Sequence, residues 1–282
     1  MNPASKKLLV AFSKIRPLPP VVIELSRLLD DASSTIKQFV EVIEMDPVLV
    51  ARLLKIVNSP LYGPIQKIDS INRAVIYLGI KNLNTIVVTE AVMDLFKQNS
   101  NAARFSREKL WLHSVAVAVC AKMIAERIFA INGDDAYLSG ILHDFGLIIE
   151  EQIHPETFYT ICKNATSVSS MRALEQEAFA TDHCELGYLI TQQWTITEPI
   201  REAIRDQHTL LAEVSPSSLT GILQIAGYLV SQHGYPLLPH IQPEITEPLL
   251  DHIEENHDEY QFLLNEFPEE MAKVQDLYHE KS

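Results

Sequence analysis

The sequence predicts an all-α protein built as two packed helical bundles. Three observations carry this. Apolar residues recur at helical spacing along nearly every patterned stretch. Helix starts are marked repeatedly by Ser, Thr or Asp, two of them with Pro close behind. The 282 residues contain no convincing strand alternation, and no Asn-Gly or Asp-Gly turn between two alternating runs.

Taken in order, Thr35 and Gln38 have capping-box spacing for the helix they open. In "DPVLVARLLKIVNS", Asp46 caps free N–H groups and Pro47 sits where its missing N–H costs nothing. Leu49, Leu53 and Val57 then share one helix face. "SINRAVIYLG" is a short helix stopped by Gly79. "NTIVVTEAVMDLF" holds a β-branched run, but its flanks fit a helix better. The long stretch from Ser106 to Ile128 is apolar on most sides, as a central helix should be. Asp182 with Glu185 opens "HCELGYLITQQW", and Thr197 is expected to cap "EPIREAIRDQH". Residues 217–232, 246–256 and 258–280 read as three more helices, about a dozen or more in all. The polar "KQNSNAAR" at 97–104 divides an N-terminal bundle, 1–100, from a larger C-terminal one, 101–282.

Composition narrows the function. Apolar residues reach 47%, enough for a well-developed core. The net charge of −14 argues against a protein that coats nucleic acid. Residues 244–282 alone carry 12 acidic and 2 basic side chains, an expected solvated helical face. Lys6, Lys7, Lys14 and Arg16 read as a mobile basic end. "LLVAF" is too short for a signal-peptide core, and no run approaches the ~18 apolar residues of a membrane span. Cys120, Cys162 and Cys184 are scattered and read as buried free thiols. A cytoplasmic protein with no membrane segment is expected.

Four of the ten histidines sit on helices or their ends among apolar neighbours: His113, His143, His183 and His208. His113 shares a face with Leu110, Val117 and Cys120. His143 has the small Ser139 and Gly140 beneath it, and Asp144 follows at once. A buried carboxylate beside a buried imidazole is costly unless it is paired, hydrogen-bonded or metal-bound. The five residues His113, His143, Asp144, His183 and His208 are therefore candidate ligands of a divalent metal: Fe, Mn, Ni or Zn. The competing reading makes each a satisfied core residue, with no cofactor required. His154, His233, His240, His252, His257 and His279 read as surface residues. Cys184 directly follows His183, and helix neighbours do not face each other, so a Cys–His nucleophile is not expected. Trp111 and Trp194 read as core.

The order His113, His143-Asp144, His183, His208 resembles the HD superfamily of metal-dependent phosphohydrolases. More of the chain, from Arg16 to His208, is similar to the HDOD (HD-related output domain) family of bacterial signalling proteins. "RPLPPVVIELSRLL", "MDPVLVARLLKIVNSPLYG", "INRAVIYLGIKNL", "LWLHSVAVA" and "YLSGILHDFG" carry that resemblance. It implies an N-terminal bundle of HDOD type and an HD-like C-terminal bundle. It also implies that the His-Asp pair belongs to a metal site, with Asp144 bridging where two metals are held.

Two positions depart from the HD pattern. Gly227 in "ILQIAGYLV" stands where the last Asp ligand is expected, and Leu147 in "HDFGL" where cyclic-dinucleotide phosphodiesterases carry Lys. The resemblance then implies a signalling or regulatory module without strong catalysis, acting through a protein partner or a nucleotide-like small ligand. The alternative is a metal-dependent phosphohydrolase of nucleotides or cyclic dinucleotides. Lys109 and Arg205, on the helices of His113 and His208, are its candidate phosphate contacts, though ordinary exposed charge is the expectation.

Overall fold

The structure is a computed structural model that describes residues 2–15, 19–59, 62–96, 105–241 and 243–279. Among them there is no strand. The helices are α1 (Pro3–Ile15), α2 (Pro20–Asp30), α3 (Ile36–Glu44), α4 (Pro47–Val57), α5 (Ile71–Leu78), α6 (Ile80–Phe96) and α7 (Arg107–Met123). A π-type turn, Ile124–Ile128, continues α7. Then come α8 (Asp134–Leu142), α9 (Phe145–Ile153), α10 (Pro155–Asn164), α11 (Val168–Phe179), α12 (His183–Gln193), α13 (Glu198–Asp206), α14 (Leu219–Gln232), α15 (Glu247–Glu255) and α16 (His257–His279).

Local caps set many of these starts. Thr35 and Gln38 form the full capping box of α3, and Asp46 accepts the N–H groups of Val48 and Leu49 at the start of α4. Ser70, Ser106, Ser167 and Ser218 cap α5, α7, α11 and α14 in the same manner. Gly79 ends α5 at φ 80°, a backbone conformation that favours glycine. Thr197 differs from expectation. It holds the cap position of α13, but its hydroxyl makes no cap bond; Pro199 in the first turn has no N–H to satisfy.

The chain forms two compact units that are not consecutive in sequence. One comprises α2 to α5, most of α6 and the end of α16. The other comprises α1, the last two residues of α6, and α7 through Asn265. The expected boundary at 97–104 lies outside the described residues. In the first unit α3, α4 and α5 pack together around Phe39, Ile43, Leu53, Val57, Ala74 and Val75, all buried. Asn58 pins the connection after α4: its amide donates to the Leu54 and Ile68 carbonyls, and its oxygen accepts the Ile68 N–H. Within "NSPLYG", Pro60 and Leu61 lie outside the described residues; Tyr62 accepts a bond from the Tyr77 hydroxyl through its carbonyl. This is the bonding of a fixed connector.

The second unit carries all the candidate ligands. Its α7 is buried without a break from His113 to Ala121, with α8 and α14 packed against it. The basic chain end is not a mobile tail: α1 buries Leu8, Leu9 and Phe12, and Phe12 meets Phe145 edge-on at 5.9 Å. Phe145 also meets Trp194, 4.9 Å away, and Trp111 lies 5.2 Å from Phe96. His252 is not a plain surface residue; it is half-buried and stacks on Phe129. Among the described residues no single helix is long and apolar enough to cross a membrane.

Two glycines bring the ligand-bearing helices together. A Cβ on Gly140 of α8 would lie 2.4 Å from the Ala118 Cα of α7. One on Gly146 of α9 would lie 2.0 Å from the His183 carbonyl oxygen at the start of α12. Backbone, not a flexible side-chain tip, fills both spaces. Gly140→Ala and Gly146→Ala should each lower stability by about 1–3 kcal/mol through forced helix displacement. Urea unfolding checks this, and variants as stable as the parent would contradict the close approach.

Candidate metal centre

Three of the four candidate histidines are held by one ring nitrogen, and the same three present the other to one carboxylate. His113, on α7, donates from Nδ1 to the Tyr235 carbonyl at 2.6 Å. His143, at the end of α8, donates from Nδ1 to the Gly140 carbonyl at 2.7 Å. His183, first residue of α12, is paired through Nδ1 with Glu175 Oε2 at 2.7 Å, and Glu175 also accepts the His183 backbone N–H. Asp144 receives the opposite nitrogens. His143 Nε2 lies 3.2 Å and His113 Nε2 3.7 Å from Oδ2, and His183 Nε2 lies 3.9 Å from Oδ1.

The start of α12 is fixed with care. Asp182 Oδ1 caps the Glu185 N–H, while its Oδ2 accepts bonds from Arg172 and Gln176. His208, half-buried after α13, faces the His183 ring at 5.5 Å between centroids. All five candidate ligands line one cavity of about 40 Å³, together with Gln207, Gly227 and an apolar wall that includes Val168, Met171 and Leu223. A buried water needs roughly 10–15 Å³, so the space suits an ion with a water or a small ligand group.

Electrostatics follow from burial. Burial, then the neighbouring His143, holds His113 down to about 4, despite Asp144 and the Tyr235 carbonyl. His208 moves in the same direction, again from burial first. Burial opposes the charge on Asp144, but His143, His183 and His113 outweigh it and keep the carboxyl ionised well below its usual range. Burial also opposes charge on His183; Cys184 and Glu175 outweigh it and raise the ring. Cys184 is itself raised by burial and stays a thiol, so Glu175 is the partner that counts.

The residues fit a divalent cation on their own geometry. With Nδ1 donating, a neutral imidazole offers only a lone pair at Nε2. Lone pairs on His113 and His143 aimed at a carboxylate repel unless a proton or cation lies among them. The fixing of a ligand histidine by a carbonyl or carboxylate on its other nitrogen is the usual outer shell of metal sites. One ligand atom each from His113, His143 and Asp144 lie within 4.8 Å of one another, as do those of His183, Cys184 and His208. Asp144 Oδ1 and His183 Nε2 have no hydrogen-bond partner although buried.

The missing ligand is equally visible. A Cβ on Gly227, where the HD pattern leads one to expect the last Asp, would meet nothing within 4 Å, so open space lies there beside the cavity. Leu147 is fully buried in the core. Lys109 is exposed, and Arg205 is held by Asp206 and Glu202 over the Tyr188 ring. No Lys or Arg lines the cavity among the described residues. Sequence reading passed over Glu175 and Glu150. Glu175 falls in line with Val168, Met171 and Phe179, all buried, so its place in an apolar stripe was the available signal. Glu150 sits in an unbroken buried run of α9 with both oxygens unpartnered; burial, then Glu175, raises it well above the carboxylate range.

The depressed His113 has a consequence for the metal-free protein. The unfolded chain takes up this proton near the ordinary value of 6.5, the folded chain only near 4. Stability from the neutral ring is therefore full above pH 6.5 and is lost as pH falls toward 4, about 3 kcal/mol at most. Urea midpoints of the metal-free chain should fall more steeply across that window than those of His113→Gln. Parallel profiles would show an ordinary histidine.

Comparisons with known proteins bear on the family and the fold. The HDOD domain family matches residues 15–210. An uncharacterised protein of Treponema pallidum (strain Nichols) is 25% identical over 203 residues, 68% of this chain; the chain spans 37% of that relative's length. The crystal structure of an HDOD domain protein of unknown function from Geobacter sulfurreducens matches with a TM-score of 0.72 and 25% identity, over 96% of this chain and 97% of that one. A candidate phosphohydrolase from Shewanella amazonensis SB2B gives 0.69 at 24% identity, over 96% and 97%. A candidate signal transduction protein from Marinobacter aquaeolei VT8 gives 0.70 at 20%, over 93% and 60%. At those lower identities the last two speak for the fold alone. A family match that runs through both compact units and contains all five candidate ligands places this chain in the HDOD family.

Proposed function

We propose that the chain is a regulatory module of bacterial signal transduction whose HD-like centre binds without efficient turnover. The observation that carries this reading is the open space at Gly227 in a cavity with no described Lys or Arg on its wall. Phosphoryl transfer needs cations around the developing charge. Here the nearby Arg205 is committed to Asp206, and Arg172 to Asp182.

The chain's own residues still favour a held cation. His113, His143 and Asp144 would hold it, with His183 and His208 facing the same cavity. A divalent ion bound there supplies Lewis acidity toward a water or an oxygen of a ligand. The Tyr235 and Gly140 carbonyls keep two imidazoles in the ligating tautomer, and the apolar wall limits water. Such a centre suits recognition of a small ligand and transmission of its binding to a protein partner. Membership of the HDOD family, which the sequence resemblance ties to bacterial signalling, supports the same reading. The phosphohydrolase reading is second, favoured by the chemistry of the donor set.

Elemental analysis of protein purified without added metal or chelator, beside Asp144→Ala, tests the centre. Bound iron, manganese, nickel or zinc is expected in the parent and lost in the variant. Hydrolysis of bis(p-nitrophenyl) phosphate and of cyclic dinucleotides, with Mn²⁺ or Fe²⁺ added, should stay at the Asp144→Ala background. Gly227→Asp has room for its side chain and should tighten metal binding on the order of tenfold, about 1.4 kcal/mol. Hydrolysis that depends on Asp144 would replace the regulatory reading with the enzymatic one.

A further inference from the structure

We propose that His183, Cys184 and His208 form a second cation position with a thiolate ligand, one that selects a zinc-class ion. One ligand atom from each lies within 4.8 Å of the others. The group is distinct in chemistry from His113, His143 and Asp144, which offer nitrogen and oxygen alone. Sequence neighbours within a helix diverge, but His183 and Cys184 are the first two residues of α12. Side chains of a first turn tilt back past the helix end, where no preceding turn separates them.

Two further observations point to a ligand. His183 is fully buried, and its Nε2 has no hydrogen-bond partner. Nδ1 is committed to Glu175, so Nε2 is the nitrogen left to ligate. The sulfur also has an outer partner: the Gln207 amide donates to Cys184 Sγ at 3.7 Å while donating to the His143 carbonyl at 2.7 Å. Two of three ligands thus have the supporting contacts that metal sites use to orient and charge their donors. An N–H donor toward sulfur favours thiolate over thiol.

The donor set decides the cation. Thiolate with two imidazoles suits zinc in tetrahedral geometry with one position left for water or another oxygen. Asp144 Oδ1, 3.9 Å from His183 Nε2 and without a hydrogen-bond partner, is such an oxygen. The Cys184 S–H proton is released to water as the sulfur–metal bond forms. The imidazole–carboxylate group keeps the harder ions, manganese or iron. This inference does not rest on the regulatory reading, because the thiolate position stands whether the other group is loaded or empty and whether or not the chain hydrolyses anything.

Cobalt(II) reads the thiolate directly. The full chain, stripped by chelator under reducing conditions, is titrated with Co²⁺. A thiolate-to-cobalt charge-transfer band in the near ultraviolet is expected, with the intense visible bands of tetrahedral cobalt. One equivalent of Zn²⁺ should abolish it and an equivalent of Mn²⁺ should not. The band should persist in His113→Ala, Cys120→Ser and Cys162→Ser and vanish in Cys184→Ser, with Zn²⁺ affinity at this position reduced at least about tenfold. Loss of the cation from His113, His143 and Asp144 with the band intact would sink the first centre alone. Cobalt bound with no charge-transfer band, or a band that survives Cys184→Ser, overturns the thiolate position. X-ray absorption of the parent chain with one equivalent of zinc needs no variant: one sulfur at about 2.3 Å supports the proposal, and nitrogen and oxygen alone refute it.

Discussion

One buried carboxylate, faced by three imidazole nitrogens, is the constraint that orders the second compact unit. Asp144 is 1% exposed, and an ion in such a place is tolerated only where its surroundings compensate. The compensation comes from three helices. Arg107–Met123 brings His113, the end of Asp134–Leu142 brings His143, and His183–Gln193 begins with His183; Asp144 itself stands between two helices. None of these groups reaches Asp144 unless the backbones approach unusually closely. Gly140 against Ala118 and Gly146 against His183 are that approach. The small residues and the charged ones are therefore one arrangement: the glycines set the helix spacing, and the spacing makes the imidazole–carboxylate cluster.

The parts of the fold that are legible in the sequence are those that local chemistry decides. Asp46, Thr35, Ser70 and Ser106 satisfy N–H groups two or three residues away, so their helix starts can be read without any tertiary information. The His-Asp adjacency is likewise a sequence fact, as is the ordered spread of the other three histidines. What the sequence does not show directly is the partner of each ring. The carbonyls of Gly140 and Tyr235 carry no side-chain signature, and Tyr235 lies 122 residues from the histidine it fixes. Glu175 was legible in principle, as an acid in the buried stripe of its helix. Reading acids as solvated by default hides such a position. The start of the chain was misjudged for a related reason: its lysines drew attention from Leu8, Leu9 and Phe12, which bury one face of Pro3–Ile15.

Gly227 bears on the proposed reading of a donor set that binds without efficient turnover. A glycine at that position costs little structurally, because no neighbour lies where a Cβ would stand. It also contributes no charge to a cavity whose wall includes Leu223 and Met171. An enzyme needs that face closed around a defined coordination shell, whereas a binding site benefits from the vacancy. Inner donors held in place beside an open outer position are thus the arrangement that the proposed binding role would use.

Charge counting links the centre to its hidden second row. Behind His183 lie Glu175, which accepts two of its N–H groups, and Glu150, buried and without a partner for either oxygen. Burial and the proximity of Glu175 keep Glu150 protonated, so it adds no charge to the interior. Asp144 is ionised, and Glu175 is the acceptor for His183. In the metal-free state a proton on His183 answers that acidity. A divalent ion would answer it differently: His113, His143 and Asp144 would hold it, while Nδ1 of His183 stays committed to Glu175. The hydrogen-bonded frame need not rearrange between the two states. Cation binding at a centre of that kind would be coupled to proton release, since the ligand atoms must be deprotonated to bind.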